Sequence, residues 1–287
     1  MKIKEYQFKN SGNLSVEVVE IEHLVNKAKQ KLLVPHRTDF YHIFIFENCS
    51  PRHVVDFEGL DIKANSLLFL DKGRVHQFDE KLDYKGKMII FTDDFYCHSA
   101  QDTQYLRSNV LFNGIRGHSA LELGHSIGLF LQICEQIRQE LRQENDFAQG
   151  RILKNHVHTL LLLAEREKHK QGFAEPRKDL DLDCFLLFKG LLENHFRESR
   201  SVSGYCEKLL VTEKRLNKAT RQILGKTPKQ MIDERILLEA KLLLVHETST
   251  IKEVAYELGF DEPTNFVKYF RKHTRKSPSE YREGLMG

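Results

Sequence analysis

Two short stretches near the end of this 287-residue chain hold the side chains that can read or grip a polyanion. In 213–224, Lys214, Asn217, Lys218 and Arg221 recur at i, i+3, i+4 and i+7, so on a helix they share one face. In 263–273, Thr264, Asn265, Lys268, Arg271 and Lys272 remain available once Phe266, Val267 and Phe270 turn inward. Amides and hydroxyls hydrogen-bond base edges, and long cations reach base edges or phosphates. A merely solvated face mixes in acids, and these two faces hold few beyond Glu213. A third set lies in the first hundred residues: His36, His42, Arg74 and His76, with Phe44, Phe46 and Phe78 nearby. Adjacent inward imidazoles could hold a transition metal. They could equally line the mouth of a small-molecule pocket walled by the phenylalanines, or be ordinary hydrogen-bonded histidines.

The elements that must position these groups change character along the chain. Residues 1–115 read as β: "YHIFIF" (41–46), "HVVDF" (53–57), "NSLLFL" (65–70) and "GKMIIF" (86–91) are short apolar or alternating runs between turn-like pieces. From 119 the period becomes helical. Leu123, Ile127, Phe130, Leu131, Cys134, Ile137 and Leu141 predict one helix over 119–143, and Leu153, Val157 and Leu160 to Leu163 predict a second over 150–168. "HKQGFAEPRKD" breaks both periods and marks a linker over 169–180. From 181 to 282 everything is helical in period.

The last third repeats itself. In "VSGYCEKLLVTEKRL" (202–216) and "IKEVAYELGFDEPTNF" (251–266), Val202 matches Ile251, Cys206 matches Ala255, Leu209 matches Leu258, and Leu210 falls on Gly259. Each copy opens with a cap, Ser201 in the first and Ser249 or Thr250 in the second. A small residue lets two helices approach, a turn follows, and a later apolar residue locks the second helix on the first. Thr227 and Pro228 open one long helix between the copies. Three acids, Glu257, Asp261 and Glu262, sit in or beside the second turn. The last two fall at a helix N-terminus, where the dipole tolerates carboxylates.

"SVSGYCEKLLVTEKRL", "ERILLEAKLLL" and above all "TIKEVAYELGFDEPTNFVKYFRKHTRKSPSEYR" closely resemble the AraC family of bacterial transcription regulators. The resemblance covers about 100 residues. It implies two helix-turn-helix units that place recognition helices in successive major grooves of double-stranded DNA. Carried over by position, Lys214, Asn217 and Lys218 would read bases from the first unit, and Thr264, Asn265 and Lys268 from the second. Arg221, Arg271 and Lys272 would hold phosphates. Two positions depart from the pattern: Leu210 replaces a frequent glycine, and Thr220 stands where phenylalanine is usual. Both predict a less tightly packed first unit.

"VPHRTDFYHIFIFENC" and "IKANSLLFLDKGRVHQF" resemble the cupin barrel at the N-terminus of many members of that family. His36 matches the first metal-ligand position, Thr38 replaces the second histidine, His42 stands where glutamate is usual, and His76 matches the histidine of the second motif. A lost ligand and a missing carboxylate weigh against a metal, so no cofactor is expected. The fold expected is α+β: a cupin-like β-barrel with two flanking helices over 1–168, a linker over 169–180, and an all-α domain of two helix-turn-helix units joined by a long helix over 181–287. The family implies a second copy of the chain, RNA polymerase and a small-molecule effector as further partners. The reading from another class is a cupin metal-dependent enzyme with a helical appendage, which would need a complete metal site or an acid/base pair.

Bulk numbers agree with a regulator of this kind. The excess of base over acid lies in 181–287, with 19 basic and 16 acidic residues. That is too weak alone to require nucleic acid, so clustering carries the expectation. No apolar run nears the roughly 18–20 residues of a membrane helix, and no apolar leader opens the chain. Five scattered cysteines without CxxC pairing predict reduced thiols in a cytoplasm.

Overall fold

A computed structural model describes residues 3–8, 14–81, 83–112, 120–172, 180–246 and 249–283. The chain divides into two compact units, Lys4–Glu175 and one made chiefly of Pro176–Gly287. Much of the expected linker, 173–179, lies outside the described residues.

The first unit runs β1 (Lys4–Tyr6), β2 (Val16–Glu20), α1 (Ile21–Leu32), β3 (His36–Thr38), β4 (Tyr41–Phe46), β5 (Arg52–Val55), β6 (Glu58–Asp61), β7 (Ser66–Leu70), β8 (His76–Phe78), β9 (Gly86–Phe91), α2 (Asp93–Tyr96), α3 (Ala100–Ser108), β10 (Leu121–Glu122), α4 (Ile127–Glu140) and α5 (Gln149–Lys170). The strands divide between two open five-stranded sheets, ordered β1-β3-β8-β5-β6 and β10-β7-β4-β9-β2, so the barrel is not closed. The second sheet is covered on both faces. Ile43, Ile45, Leu67, Phe69, Ile89 and Phe91 pack with Phe130, Ile133 and Ile137 of α4 and Leu153, Val157 and Leu160 of α5. The alternate residues Phe44, Phe46, Leu68, Leu70, Met88 and Ile90 pack with Val55 and Phe78 of the other sheet and with Ile21 and Val25 of α1. That is why "YHIFIF" is buried at all six positions instead of alternating.

Three local expectations need correction. The β reading of 1–115 passed over α2, α3 and above all α1, whose Ile21, Leu24, Val25, Ala28 and Leu32 recur at helical spacing and face the core between the sheets. "HVVDF" ends as a strand at Val55. Asp56 and Phe57 both have positive φ (49° and 72°) and form the two-residue turn into β6, the mirror-image turn that matches strand twist. The helix expected from 119 begins at Ile127, because Leu121 and Glu122 pair with β7 instead.

The second unit is helical: α6 (Leu180–His195), α7 (Val202–Leu209), α8 (Glu213–Leu224), α9 (Pro228–His246), α10 (Ile251–Glu257), α11 (Pro263–Thr274) and α12 (Pro278–Glu283). Helix α9 begins with a reciprocal cap. The Gln230 N–H donates to Thr227 Oγ1 at 3.2 Å, and the Thr227 N–H donates to Gln230 Oε1 at 2.8 Å. Ile232, Ile236, Ala240 and Leu243 of α9 are buried, as their spacing predicts.

Candidate nucleic-acid interface

Helix α10 starts at a capping box. Thr250 Oγ1 accepts from the Glu253 N–H at 3.2 Å, and Glu253 Oε2 accepts from the Thr250 N–H at 2.6 Å. That exchange holds the Glu253 carboxyl below its ordinary range. Val254, Ala255 and Leu258 are fully buried, and Gly259 turns the chain at φ 76°. Glu262 then stands at the N-cap of α11 in extended backbone, without a side-chain cap bond, and Pro263 takes the first turn. Phe266 and Phe270 are fully buried. The Tyr269 hydroxyl donates to Asp233 Oδ1 of α9 at 2.8 Å, which fixes the rotation of α11 about its axis. Sequence reading missed this tie, since neither residue belongs to the exposed face. The outcome is that Thr264, Asn265, Lys268, Arg271 and Lys272 are all exposed together. Among the described residues, Lys268, Arg271 and Lys272 form no ion pair.

Helix α8 is built likewise but ends differently. Thr212 caps it by accepting from the Arg215 N–H at 3.2 Å, and Gly225 closes it at φ 70°. Leu216, Ala219 and Thr220 are buried, while Ile223 is only partly so. Lys214 and Arg221 are exposed. Asn217 is half-buried, and its amide donates to the Glu213 carbonyl at 3.2 Å. Lys218 is exposed but paired: its Nζ lies 3.0 Å from Asp181 of α6. The same carboxylate lies 2.8 Å from Arg215. The expected row of four is thus two exposed cations without an ion pair among the described residues, a half-buried amide and one tethered lysine.

The third set comes together inside the first unit. His36, His42, Phe44, Phe46, His76 and Phe78 are all buried to 3% exposure or less and fill the space between the sheets, rather than rimming its mouth. Arg74 is not among them; it pairs with Asp56 at 2.7 Å. A fourth imidazole, His53, completes the cluster. It was legible from the alternation of β5, which turns 53 and 55 inward. Hydrogen bonds fix the tautomers. The Tyr84 hydroxyl donates to the Arg52 carbonyl at 2.6 Å, so its oxygen accepts from His53 Nδ1–H at 3.3 Å. His53 Nε2 then accepts from His76 Nδ1–H at 3.1 Å. His76 Nε2 and His42 Nδ1 are left without a hydrogen-bond partner among the described residues. His36 Nδ1–H donates to the Val34 carbonyl at 2.9 Å. Burial pushes all four imidazoles below the ordinary 6.5, His42 and His53 to about 3, with the neighbouring imidazoles adding to the shift in His42, His53 and His76. Among the described residues, no three His, Cys, Asp or Glu side chains are arranged to hold a metal ion. The donor set also lacks the carboxylate, so a cupin metal does not fit here.

Comparison with known proteins bears on the second unit first. A family model described as "Helix-turn-helix domain" matches residues 205–284. Over 284 residues, 96% of this chain and 95% of the other, the chain is 24% identical to the HTH-type transcriptional activator RhaS of Escherichia coli O139:H28. Residues 205–284 carry an AraC-type helix-turn-helix domain, and along its length the chain is similar to a transcriptional activator of that type. Among solved structures, ToxT from Vibrio cholerae O395 covers 96% of this chain and 98% of its own at 15% identity and a TM-score of 0.42. The DNA-binding domain of AdpA, solved with a target DNA, covers 34% of this chain at 26% identity and a TM-score of 0.31.

Much of the AraC signature in this chain is scaffold. In "SPSEYR", Ser277 Oγ accepts from the Glu280 N–H at 3.2 Å and Glu280 Oε2 accepts from the Ser277 N–H at 2.6 Å, the same reciprocal capping seen at α9 and α10. Tyr281 packs edge-on against Phe270 with ring centroids 5.5 Å apart. Arg282 donates to the carbonyls of Leu244 (2.9 Å) and Ser249 (2.8 Å). The departures in the first AraC unit also have local accounts. Thr220 is fully buried, with its hydroxyl on the Asn217 carbonyl at 3.3 Å. Leu210 adopts φ 54° and ψ 42°, the left-handed conformation that its glycine counterpart takes freely, while its side chain is 92% exposed. A leucine there costs about 1–2 kcal/mol of backbone strain and makes little packing in return. Leu210→Gly is therefore expected to stabilise the chain by about 1 kcal/mol. Urea unfolding followed by circular dichroism checks this; a lower midpoint would mean that the leucine makes a contact worth more than its strain.

Proposed function

We propose that this chain is a transcriptional regulator whose two helix-turn-helix units bind adjacent major grooves, with α11 as the principal recognition helix. The observation that carries the reading is the face of α11, where an amide, a hydroxyl and three cations without an ion pair among the described residues stand exposed on a helix locked by Phe266, Phe270 and Tyr269. Thr264, Asn265 and Lys268 are the base readers of this proposal, and Arg271 and Lys272 hold phosphates. Lys214, Asn217 and Arg221 of α8 supply a second, weaker set. Selection of bound fragments from random genomic DNA tests the claim; recovery of no preferred sequence would refute it. On a selected site, Lys268→Ala is expected to cost about 1–3 kcal/mol and to relax base preference. Arg271→Ala is expected to weaken selected and random duplexes alike and to reduce the salt slope by about one. Equal losses on both kinds of DNA for both variants would overturn this division of roles.

The first unit is the sensor and dimerisation part of this reading. Its unpartnered nitrogens on His42 and His76 support recognition of a small polar effector. The exposed Leu129, Ile152 and Leu162 of α4 and α5 support pairing with a second copy. An enzyme is disfavoured because these imidazoles are packed against aromatic rings and each other, with no carboxylate beside them among the described residues.

A further inference from the structure

The two recognition helices differ in one charge relation. Asp181, the second residue of α6, is 3% exposed and lies between Arg215 and Lys218 of α8, at 2.8 and 3.0 Å. In α11, Lys268, Arg271 and Lys272 form no ion pair among the described residues. A buried carboxylate is strongly destabilising without a cation, so Asp181 must keep at least one partner. Two cations stand beside it among the described residues, and they are unequal. The Arg215 side chain is 32% exposed, while that of Lys218 is 64% exposed and stands on the face carrying Lys214 and Arg221. A phosphate arriving at α8 therefore competes with Asp181 for Lys218.

We propose that Asp181 is a specificity-determining residue that acts from inside the domain. It keeps Lys218 off the DNA backbone and so lowers the sequence-independent attraction of the first unit. Discrimination improves when phosphate attraction, which every duplex offers equally, is held down while base contacts are retained. This rests on the DNA-binding reading above.

The test uses the full chain and a mixed-sequence duplex, with affinity measured between 50 and 200 mM salt. Each phosphate neutralised adds about 0.9 to the slope of log affinity against log salt. Asp181→Asn should free Lys218, steepen the slope by about that amount, and raise the affinity at 50 mM relative to 200 mM by an extra factor of about 3. Its discrimination between a selected and a mixed-sequence duplex should fall. The double variant Asp181→Asn with Lys218→Ala should return the slope to that of the parent. Lys218→Ala alone should leave the parent's slope unchanged, and it decides the matter if Asp181→Asn does not fold. An unchanged slope in folded Asp181→Asn, or a slope reduced by about one in Lys218→Ala, overturns the proposal. Failure of the parent chain to bind any duplex would instead overturn the DNA-binding reading, and this inference with it.

Discussion

Acidification from pH 7 is expected to unfold the N-terminal unit within about two pH units below 6.5, before carboxylate protonation dominates. In the unfolded chain the four imidazoles of His36, His42, His53 and His76 take up protons near 6.5, whereas in the fold His42 and His53 do so only near 3. The folded values are depressed, so the unfolded state binds more protons throughout that window. The stability these groups lend is complete above 6.5 and is lost as pH falls toward the folded values. Each imidazole contributes about 1.4 kcal/mol per pH unit once the unfolded state is protonated. The three whose folded values lie far below 6.5, His42, His53 and His76, together approach about 4 kcal/mol per unit, a large part of the whole stability of many domains. Near-ultraviolet circular dichroism and tyrosine fluorescence between pH 8 and 4 would follow the loss. His42→Leu, which removes an unpartnered imidazole nitrogen, should move the midpoint to lower pH. A unit that stays native to pH 4, or a midpoint indifferent to His42→Leu, would show that the cluster accommodates protons.

Gly259→Ala should be among the most damaging single substitutions in the DNA-binding unit. Gly259 sits at φ 76°, and a Cβ built there would stand 1.9 Å from the Arg197 carbonyl oxygen. Backbone cannot swing aside as a long side chain can, so the segment after α6 or the turn itself must move. Left-handed strain of about 1–2 kcal/mol adds to that displacement, and a total of at least about 3 kcal/mol places the change in the upper range for one residue. Gly225→Ala is the matched control, because it has φ 70° but nothing within 4 Å of its added Cβ. It should show the backbone strain alone, about 1–2 kcal/mol. Urea unfolding of both variants measures the difference. Equal losses would mean that the turn relaxes around the methyl group. Any displacement at 259 also shifts the start of α11, so DNA affinity should fall for Gly259→Ala even where the domain remains folded.

The helix-turn-helix half was legible because its information is local. Caps, a turn glycine and the apolar residues at fixed spacing all lie within one stretch, and Ser201, Thr250 and Phe266 act where their types indicate. The ties that orient the recognition helices were not legible. Asp233 meets Tyr269 across 36 residues and Asp181 meets Lys218 across a similar gap, and neither pair leaves a periodic trace. In the first unit the buried strands announced themselves by hydrophobicity. The division into two open sheets did not, because register is decided between strands far apart in sequence. His53 shows a milder failure: its inward phase was readable, but only the fold shows that it meets His76.

The hydrogen-bond relay from the Arg52 carbonyl through Tyr84 and His53 to His76 constrains how this protein can diverge. Each member's proton position depends on the next, so a lineage that loses Tyr84 leaves His53 without its acceptor, and one that loses His53 leaves the buried His76 Nδ1–H without its acceptor. Single steps away lead downhill in fitness even where a fully apolar replacement would be sound. Among descendants the set should therefore persist intact or vanish together, and a partly dismantled relay should mark a lineage caught between the two.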